Sequence, residues 1–294
     1  MGYEKDLLIL PFDHRGSLLK KLYGIEGRTP TEEEAKDYAD LKYMVYEGFL
    51  KSLKEGVEKE KAAILVDEQF CSEIIKDAKS KGIMVAMPTE KSGQKEFDFE
   101  HPDFKEHIKR VDPTFVKVLV RYNVEGNKET NERQIEKLKR ISDYCKEINK
   151  HLIFELLVPA EPSQEAENYD RDIRPGLMVR AILELQDKGV EPAVWKLEGV
   201  EKQEDSKALV EACQRDGRNA GIITLGRGEN AEKVKEWLKV GAKQKGIIGF
   251  AVGRTVFWEP MKALYAKEIS RDEAIQQVTD NYKSLVDLWN SERE

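Results

Sequence analysis

The segment AVWKLEG, residues 193–199, has the apolar content of a buried strand, yet Lys196 sits in its middle and Glu198 follows two positions on. An ammonium inside such a run is costly to bury unless it is paired or used. The flanking sequence fits a strand. On one side, RPGLMVRAILELQDKG (174–189) reads as a helix with Pro175 in its first turn and Gly189 at its end. On the other, SKALVEACQRDG is a second helical pattern closing on a glycine, followed by a new apolar run, GIITLGRG (221–228). Helix, strand, helix, strand is the alternation of a parallel α/β sheet.

The alternation extends along the chain. Similar runs occur at LLILPFD (7–13), AAILVDE (62–68), IMVAMPT (83–89), FVKVLVRYN (115–123), LIFELLVPA (152–160) and GIIGFAVGR (246–254). Runs of this length, bounded by polar or glycine residues, read as strands buried on both faces. Amphipathic helical patterns separate them, at 38–57, at 130–150 and in NAEKVKEWLKVG. The last stretch, SRDEAIQQVTDNYKSLVDLWNSE, reads as an additional helix capped by Ser270 or Asp272. Its Leu285, Leu288 and Trp289 could cover the barrel or a neighbouring subunit. Eight strand–helix alternations in 294 residues predict a (β/α)8 TIM barrel with an extra C-terminal helix, as one domain over 1–294. An open doubly wound sheet is the alternative. It would usually carry a glycine-rich fingerprint after its first strand, where this chain has DHRGS. The irregular stretch 88–104 follows the third strand and would lie over a barrel's mouth, where it could act as a lid.

Composition narrows the function. Hydrophobic residues make up 40%, enough for a sizeable core, and charged residues 36%, which implies long solvated helix faces. The net charge of -7, without clustered basic residues, argues against a nucleic-acid partner. Cys71, Cys145 and Cys213 are an odd, sparse set that fits a reducing cytosol and packing positions on helices. The first apolar run, about six residues long, is too short for a signal peptide or a membrane span, and no later run reaches roughly 18. The expectation is a cytoplasmic protein with no membrane partner, its oligomeric state left open.

In a barrel, function gathers at the C-terminal ends of the strands. The polar residues there are Asp13, His14 and Arg15; Asp67 and Glu68; Glu90; Lys117 and Arg121; Glu155; Lys196 and Glu198; Arg227; and Arg254. Burial favours the neutral form of an amine, and a neutral amine attacks a ketone to form an imine. The protonated imine is an electron sink that lets a neighbouring C–C bond break. Lys117 is expected close by, as a second ammonium that promotes deprotonation of Lys196. Glu155 is expected to carry protons, with its pKa raised toward neutrality by burial. A purely structural salt bridge from Lys196 to Glu155 or Glu198 is the competing reading. The joint presence of Lys117, Glu155 and Asp13 favours chemistry.

The loops after the seventh and eighth strands, TLGRG (224–228) and AVGR (251–254), read as a phosphate site. Gly226, Gly228 and Gly253 permit close backbone approach, Arg227 and Arg254 suit a dianion, and Thr255 offers a hydroxyl. Metal chemistry is disfavoured. The histidines are His14, His101, His107 and His151, and the six-residue spacing of His101 and His107 does not stack ligands on one helix face. A Mg²⁺ site from Asp13, Asp67 and Glu68 stays open as an alternative.

PFDHRGSLLKK, FVKVLVRYN, FELLVP, WKLEG, ITLGRG and GFAVGRTVF fall in the same order as the motifs of the tagatose-1,6-bisphosphate aldolase superfamily of class I aldolases, over about residues 5 to 260. The DHRGS start with the WKLEG lysine more closely resembles the DUF2090-type domain at the C-terminus of some inositol-catabolic kinase fusions. That domain is associated with 2-deoxy-5-keto-gluconate-6-phosphate aldolase activity. The resemblance implies a Schiff-base mechanism without a cofactor. Lys196 matches the imine-forming lysine, Lys117 the second active-site lysine, Glu155 the acid/base glutamate and Asp13 the first-strand aspartate. Gly226, Gly253 and Arg254 match phosphate positions, and His14, Arg15, Arg121, Glu198 and Arg227 are expected to face substrate. His14 stands where the tagatose enzymes have Gln, and Arg227 departs from that branch; both bear on the sugar's identity. The implied reaction cleaves a phosphorylated keto-sugar or keto-sugar acid to dihydroxyacetone phosphate and an aldehyde. Tagatose- or fructose-1,6-bisphosphate cleavage, a Mg²⁺-dependent lyase and a non-catalytic sugar-phosphate-binding barrel are the alternatives.

Overall fold

The apolar runs become strands that close on themselves. The computed structural model describes residues 2–293. Its strands are β1 (Leu7–Pro11), β2 (Ala62–Leu65), β3 (Met84–Pro88), β4 (Phe115–Arg121), β5 (His151–Leu157), β6 (Val194–Glu198), β7 (Gly221–Leu225) and β8 (Ile247–Ala251). They pair in parallel in chain order, and β8 returns to β1, giving a closed (β/α)8 TIM barrel. At β1 and β2 the ladders end before the aspartates, Asp13 and Asp67, near the ends of the sequence runs. The reason is visible at Asp67, which leaves the sheet to cap the next helix by accepting from the Phe70 N–H at 2.9 Å.

The helices are α1 (Gly16–Tyr23), α2 (Glu32–Lys54), α3 (Glu68–Ser80), α4 (Phe104–Val111), α5 (Lys128–Glu147), α6 (Arg174–Asp187), α7 (Gln203–Cys213), α8 (Ala231–Ala242), α9 (Arg254–Tyr265) and α10 (Arg271–Arg293). Helix α2 starts at Glu32 rather than near residue 38, because Thr31 and Glu34 form a reciprocal capping box. Its first turn is glutamate-rich and shows no apolar periodicity. The C-terminal helix α10 is capped by Ser270, whose hydroxyl accepts from the Glu273 N–H. It covers this barrel's own wall: Trp289 packs against Phe250 with ring centroids 6.1 Å apart, and the Tyr282 hydroxyl donates to the Leu8 carbonyl at 2.8 Å. Among the described residues, no helix is long and apolar enough to cross a membrane.

Strand alternation now accounts for Lys196. Outward residues such as Leu8, Ile64, Phe154 and Trp195 pack under the helices. Inward residues Leu7, Ile9, Phe115, Ile153, Val194 and Ile223 form a dry plug in the lower barrel. Two residues further along β4, β5 and β6, the same inner face carries Lys117, Glu155 and Lys196. Register sets Glu155 opposite Lys196. The lysine therefore sits inside the barrel, directly above the plug, at the end where the loops open.

Candidate active site

A cavity of about 620 Å³ opens at that end, and Asp13, Glu90, Lys117, Glu155 and Lys196 all line it. Lys117 is 1% and Lys196 3% exposed. Glu155 Oε2 stands between them, 3.0 Å from Lys196 Nζ and 2.9 Å from Lys117 Nζ. Lys117 also reaches Glu90 Oε1 at 2.5 Å and Asp13 Oδ2 at 3.4 Å. Three carboxylates thus surround two ammonium groups. Glu90 is a strand-end residue with no assigned role in the sequence; its position two residues beyond Pro88, which pairs with Lys117 across β3 and β4, explains the contact.

The electrostatics differ from expectation at Glu155. Burial alone would raise its pKa, but the ammonium groups of Lys117 and Lys196 hold it below the ordinary value. It is therefore a carboxylate, able to accept a proton. Lys117 is buried, which favours loss of its proton, yet Glu155, Glu90 and Asp13 together hold it well above the ordinary lysine value. Asp13 is pushed up by burial, and Lys117, Lys196, His14 and Arg15 overcome that and keep it ionised. The ion-pair partner of Lys196 is the Glu155 carboxylate, which it shares with Lys117.

His14 lines the cavity with its ring edge-on to Phe257, at 5.8 Å between centroids. Burial, with Arg254 nearby, lowers its pKa to about 4 against the pull of Asp13, so the imidazole is neutral near pH 7. Arg15 and Arg121 line the cavity too, but both are engaged with the stretch between β3 and α4. Arg15 donates to the Glu90 carbonyl and to Glu100, each at 2.8 Å, and Arg121 donates to the Gln94 carbonyl at 2.7 Å. That stretch lines the cavity through Glu90, Lys91, Ser92, Gly93 and Gln94. It is anchored by the Phe97 N–H donating to Gln134 at 2.8 Å and by Phe99 stacked on Phe104 at 4.3 Å.

On the opposite rim, Gly226, Arg227, Gly228, Gly253, Arg254 and Thr255 line the cavity. Gly253 has to be a glycine, because a Cβ there would lie 2.1 Å from the Pro11 carbonyl oxygen. Gly228 adopts φ +84° and leaves room for Arg254, whose Nη2 donates to the Arg227 carbonyl at 2.6 Å. Arg227 donates to Asp170 at 2.6 Å and pairs with Glu198 at 3.2 Å. Glu198 does not line the cavity, contrary to expectation. It is buried behind Arg227, accepts from the Val158 N–H at 3.0 Å, and braces the guanidinium instead of facing substrate. Burial raises its pKa against the opposing pull of Arg174. Asp170, which shares this bracing, carries no sequence signal.

The carboxylates of the Mg²⁺ alternative are drawn to separate cations. Asp13 pairs with Lys117, Asp67 with Lys42 and Glu68 with Arg110. His101 and His107 do not share a helix: α4 starts at Phe104, so His101 lies in the preceding loop and folds back, its ring centroid 4.3 Å from that of His107. Cys71, Cys145 and Cys213 are buried free thiols, each raised by burial.

Residues 2–293 match the family described as an uncharacterized protein conserved in bacteria, DUF2090, and the chain belongs to that family. No curated protein matches it by sequence. Similar solved structures include a fructose-bisphosphate aldolase from Plasmodium falciparum, with 15% identity over 97% of this chain and 91% of that one and a TM-score of 0.67. An archaeal fructose 1,6-bisphosphate aldolase shares 11% identity over 96% of this chain and 94% of that one, TM-score 0.59. Another archaeal fructose-1,6-bisphosphate aldolase, solved with its catalytic lysine covalently bound to the carbinolamine intermediate of its substrate, has 12% identity, the same coverages and a TM-score of 0.60. At these identities the likeness is one of fold.

Proposed function

We propose that this DUF2090 chain is a class I aldolase that cleaves a phosphorylated keto-sugar or keto-sugar acid, 2-deoxy-5-keto-gluconate 6-phosphate first among them, to dihydroxyacetone phosphate and an aldehyde. Tagatose- or fructose-1,6-bisphosphate is the second choice of substrate. The observation that carries this reading is the placement of Glu155 Oε2 within 3.0 Å of Lys196 Nζ inside an open cavity.

The chemistry runs through that contact. Glu155, ionised at rest, takes a proton from the Lys196 ammonium. The freed amine attacks the substrate ketone, and the proton its nitrogen sheds passes to the ketone oxygen to give a carbinolamine. Glu155 returns its proton to the departing hydroxyl, water leaves, and the iminium forms. Glu155, a carboxylate again, removes the proton of the substrate hydroxyl; the C–C bond breaks toward the iminium nitrogen, giving an enamine and a free aldehyde. Protonation of the enamine carbon and hydrolysis release dihydroxyacetone phosphate and restore the lysine. Lys117 stays charged throughout and, with Asp13, holds substrate oxygens in place. Arg254 and the backbone at Gly226 and Gly253 take the phosphate, at the N-terminal end of α9.

The test is a cleavage assay on the three named sugars with a chelator present, reading dihydroxyacetone phosphate by enzymatic reduction. Turnover that resists the chelator and is lost in Lys196→Ala supports the reading. No turnover on any of the three, or turnover abolished by the chelator, counts against it.

A further inference from the structure

A second group of side chains stands outside the cavity. Glu68 opens α3, His107 lies on α4 and His101 precedes it in the loop. One ligand atom from each lies within 4.8 Å of the others, and among the described residues this is the only trio of potential metal ligands so placed. His107 is 3% exposed, and its Nδ1 has no hydrogen-bond partner among the described residues, where a buried polar atom ordinarily has one. Its Nε2 is 3.2 Å from Glu68 Oε2. Two ligands on a tetrahedral zinc ion, with bonds of roughly 2.0–2.1 Å, stand about 3.3 Å apart. That edge already has the right spacing. His101 is half-buried, with its ring 4.3 Å from that of His107 and inclined by 65°, so rotation can bring a nitrogen to the third position.

We propose that Glu68, His101 and His107 bind a divalent transition-metal ion of the zinc type, with water as fourth ligand. Two imidazoles and a carboxylate are a donor set that zinc accepts. The ion ties α3 to the start of α4, and so pins the stretch between β3 and α4 that lines one side of the cavity. That stretch supplies Glu90 to Lys117 and the Gln94 carbonyl to Arg121. The role is positioning, and Lys196 takes no part in it. Arg110 is the competitor: its Nε and Nη2 donate to Glu68 at 3.1 and 2.7 Å. With its side chain 51% exposed, it can turn into water when the ion takes the carboxylate.

The test uses the purified full chain, freed of metal and titrated with zinc chloride by calorimetry and with cobalt(II) by visible absorption, whose intensity reports tetrahedral geometry. The expected result is one ion per chain. His101→Ala and Glu68→Gln should each weaken binding at least about tenfold, the low end of what even outer ligand partners cost. Arg110→Ala should tighten it several-fold, and His151→Ala, at the far end of the barrel, should leave it unchanged. Zinc should also slow tryptic cleavage between residues 89 and 103 in the parent but not in His101→Ala. The proposal is overturned by the absence of stoichiometric binding, or by binding that survives both ligand variants. If those variants fail to fold, Arg110→Ala decides: tighter binding supports the site, and unchanged or weaker binding rejects it.

Discussion

Lys42 and Lys196 are both buried lysines beside carboxylates, and their surroundings make them different devices. Lys42 is fully buried outside the barrel, pairs with Asp67 alone, and lies 4.9 and 5.4 Å from the ring centroids of Tyr38 and Phe70. Asp67 is saturated in turn by the Phe70 N–H and the Cys71 thiol. Neither residue lines the cavity. One charge meets one charge, and no room is left for a ligand. Lys196 shares its carboxylate with Lys117, in a group with more acids than bases, on the wall of an open cavity. Burial of a lysine is therefore no signal in itself. What separates structure from chemistry is whether the partner's remaining bonding capacity faces a space that a substrate can enter.

The sharpest break between the two is Lys196→Ala against Lys42→Met. Lys196→Ala should reduce turnover below detection with little change in urea unfolding, because Glu155 keeps Lys117 as its partner. A large loss of stability there would turn Lys196 into a second Lys42. Glu155→Gln should lower kcat by about 10²- to 10⁴-fold, the usual worth of a general acid–base, with a smaller effect on KM. Steady-state kinetics on the best substrate measures it; a change confined to KM would make Glu155 a mere binding group. Lys42→Met should cost about 3–5 kcal/mol of stability by leaving Asp67 charged and unpaired. The protein that still folds should retain its kcat, and urea midpoints with activity per folded molecule give both numbers.

A gentler contrast comes from pH. His14 titrates at about 4 when folded, against an ordinary value near 6.5. Between those values the unfolded chain binds the proton and the folded one does not. Its contribution is thus fully present above about pH 6.5 and is lost as pH falls toward 4. Stability should decline across that window, and His14→Gln should flatten part of the slope. Lys42, held well above the ordinary lysine value by the Asp67 carboxylate against the effect of burial, should add nothing to it there. Urea midpoints at several pH values decide, and an unchanged slope in the variant would contradict the assignment.

Much of this was legible in the chain. Lys117, Glu155 and Lys196 stood out as charges inside apolar runs, and the spacing of the runs implied closure. The strand ends were less clear, because Asp13 and Asp67 continue an extended run in sequence but leave the ladder to pair or to cap. The ionisation of Glu155 depends on two ammonium groups converging from neighbouring strands, which no local pattern encodes. Glu198 has the same alternation as Lys196, yet it turns to Arg227 and Arg174, residues contributed by other elements. The His101–His107 contact has no helical spacing to reveal it, because a loop separates His101 from α4.

The most direct test of the difference between the lysines is borohydride trapping. The protein is incubated with dihydroxyacetone phosphate and a chelator, reduced, digested and mapped by mass spectrometry. The expected result is a single stable adduct on Lys196, with Lys42 and Lys117 unmodified. No adduct at saturating ligand, or an adduct on Lys117 instead, would contradict the assignment of Lys196 as the imine-forming residue.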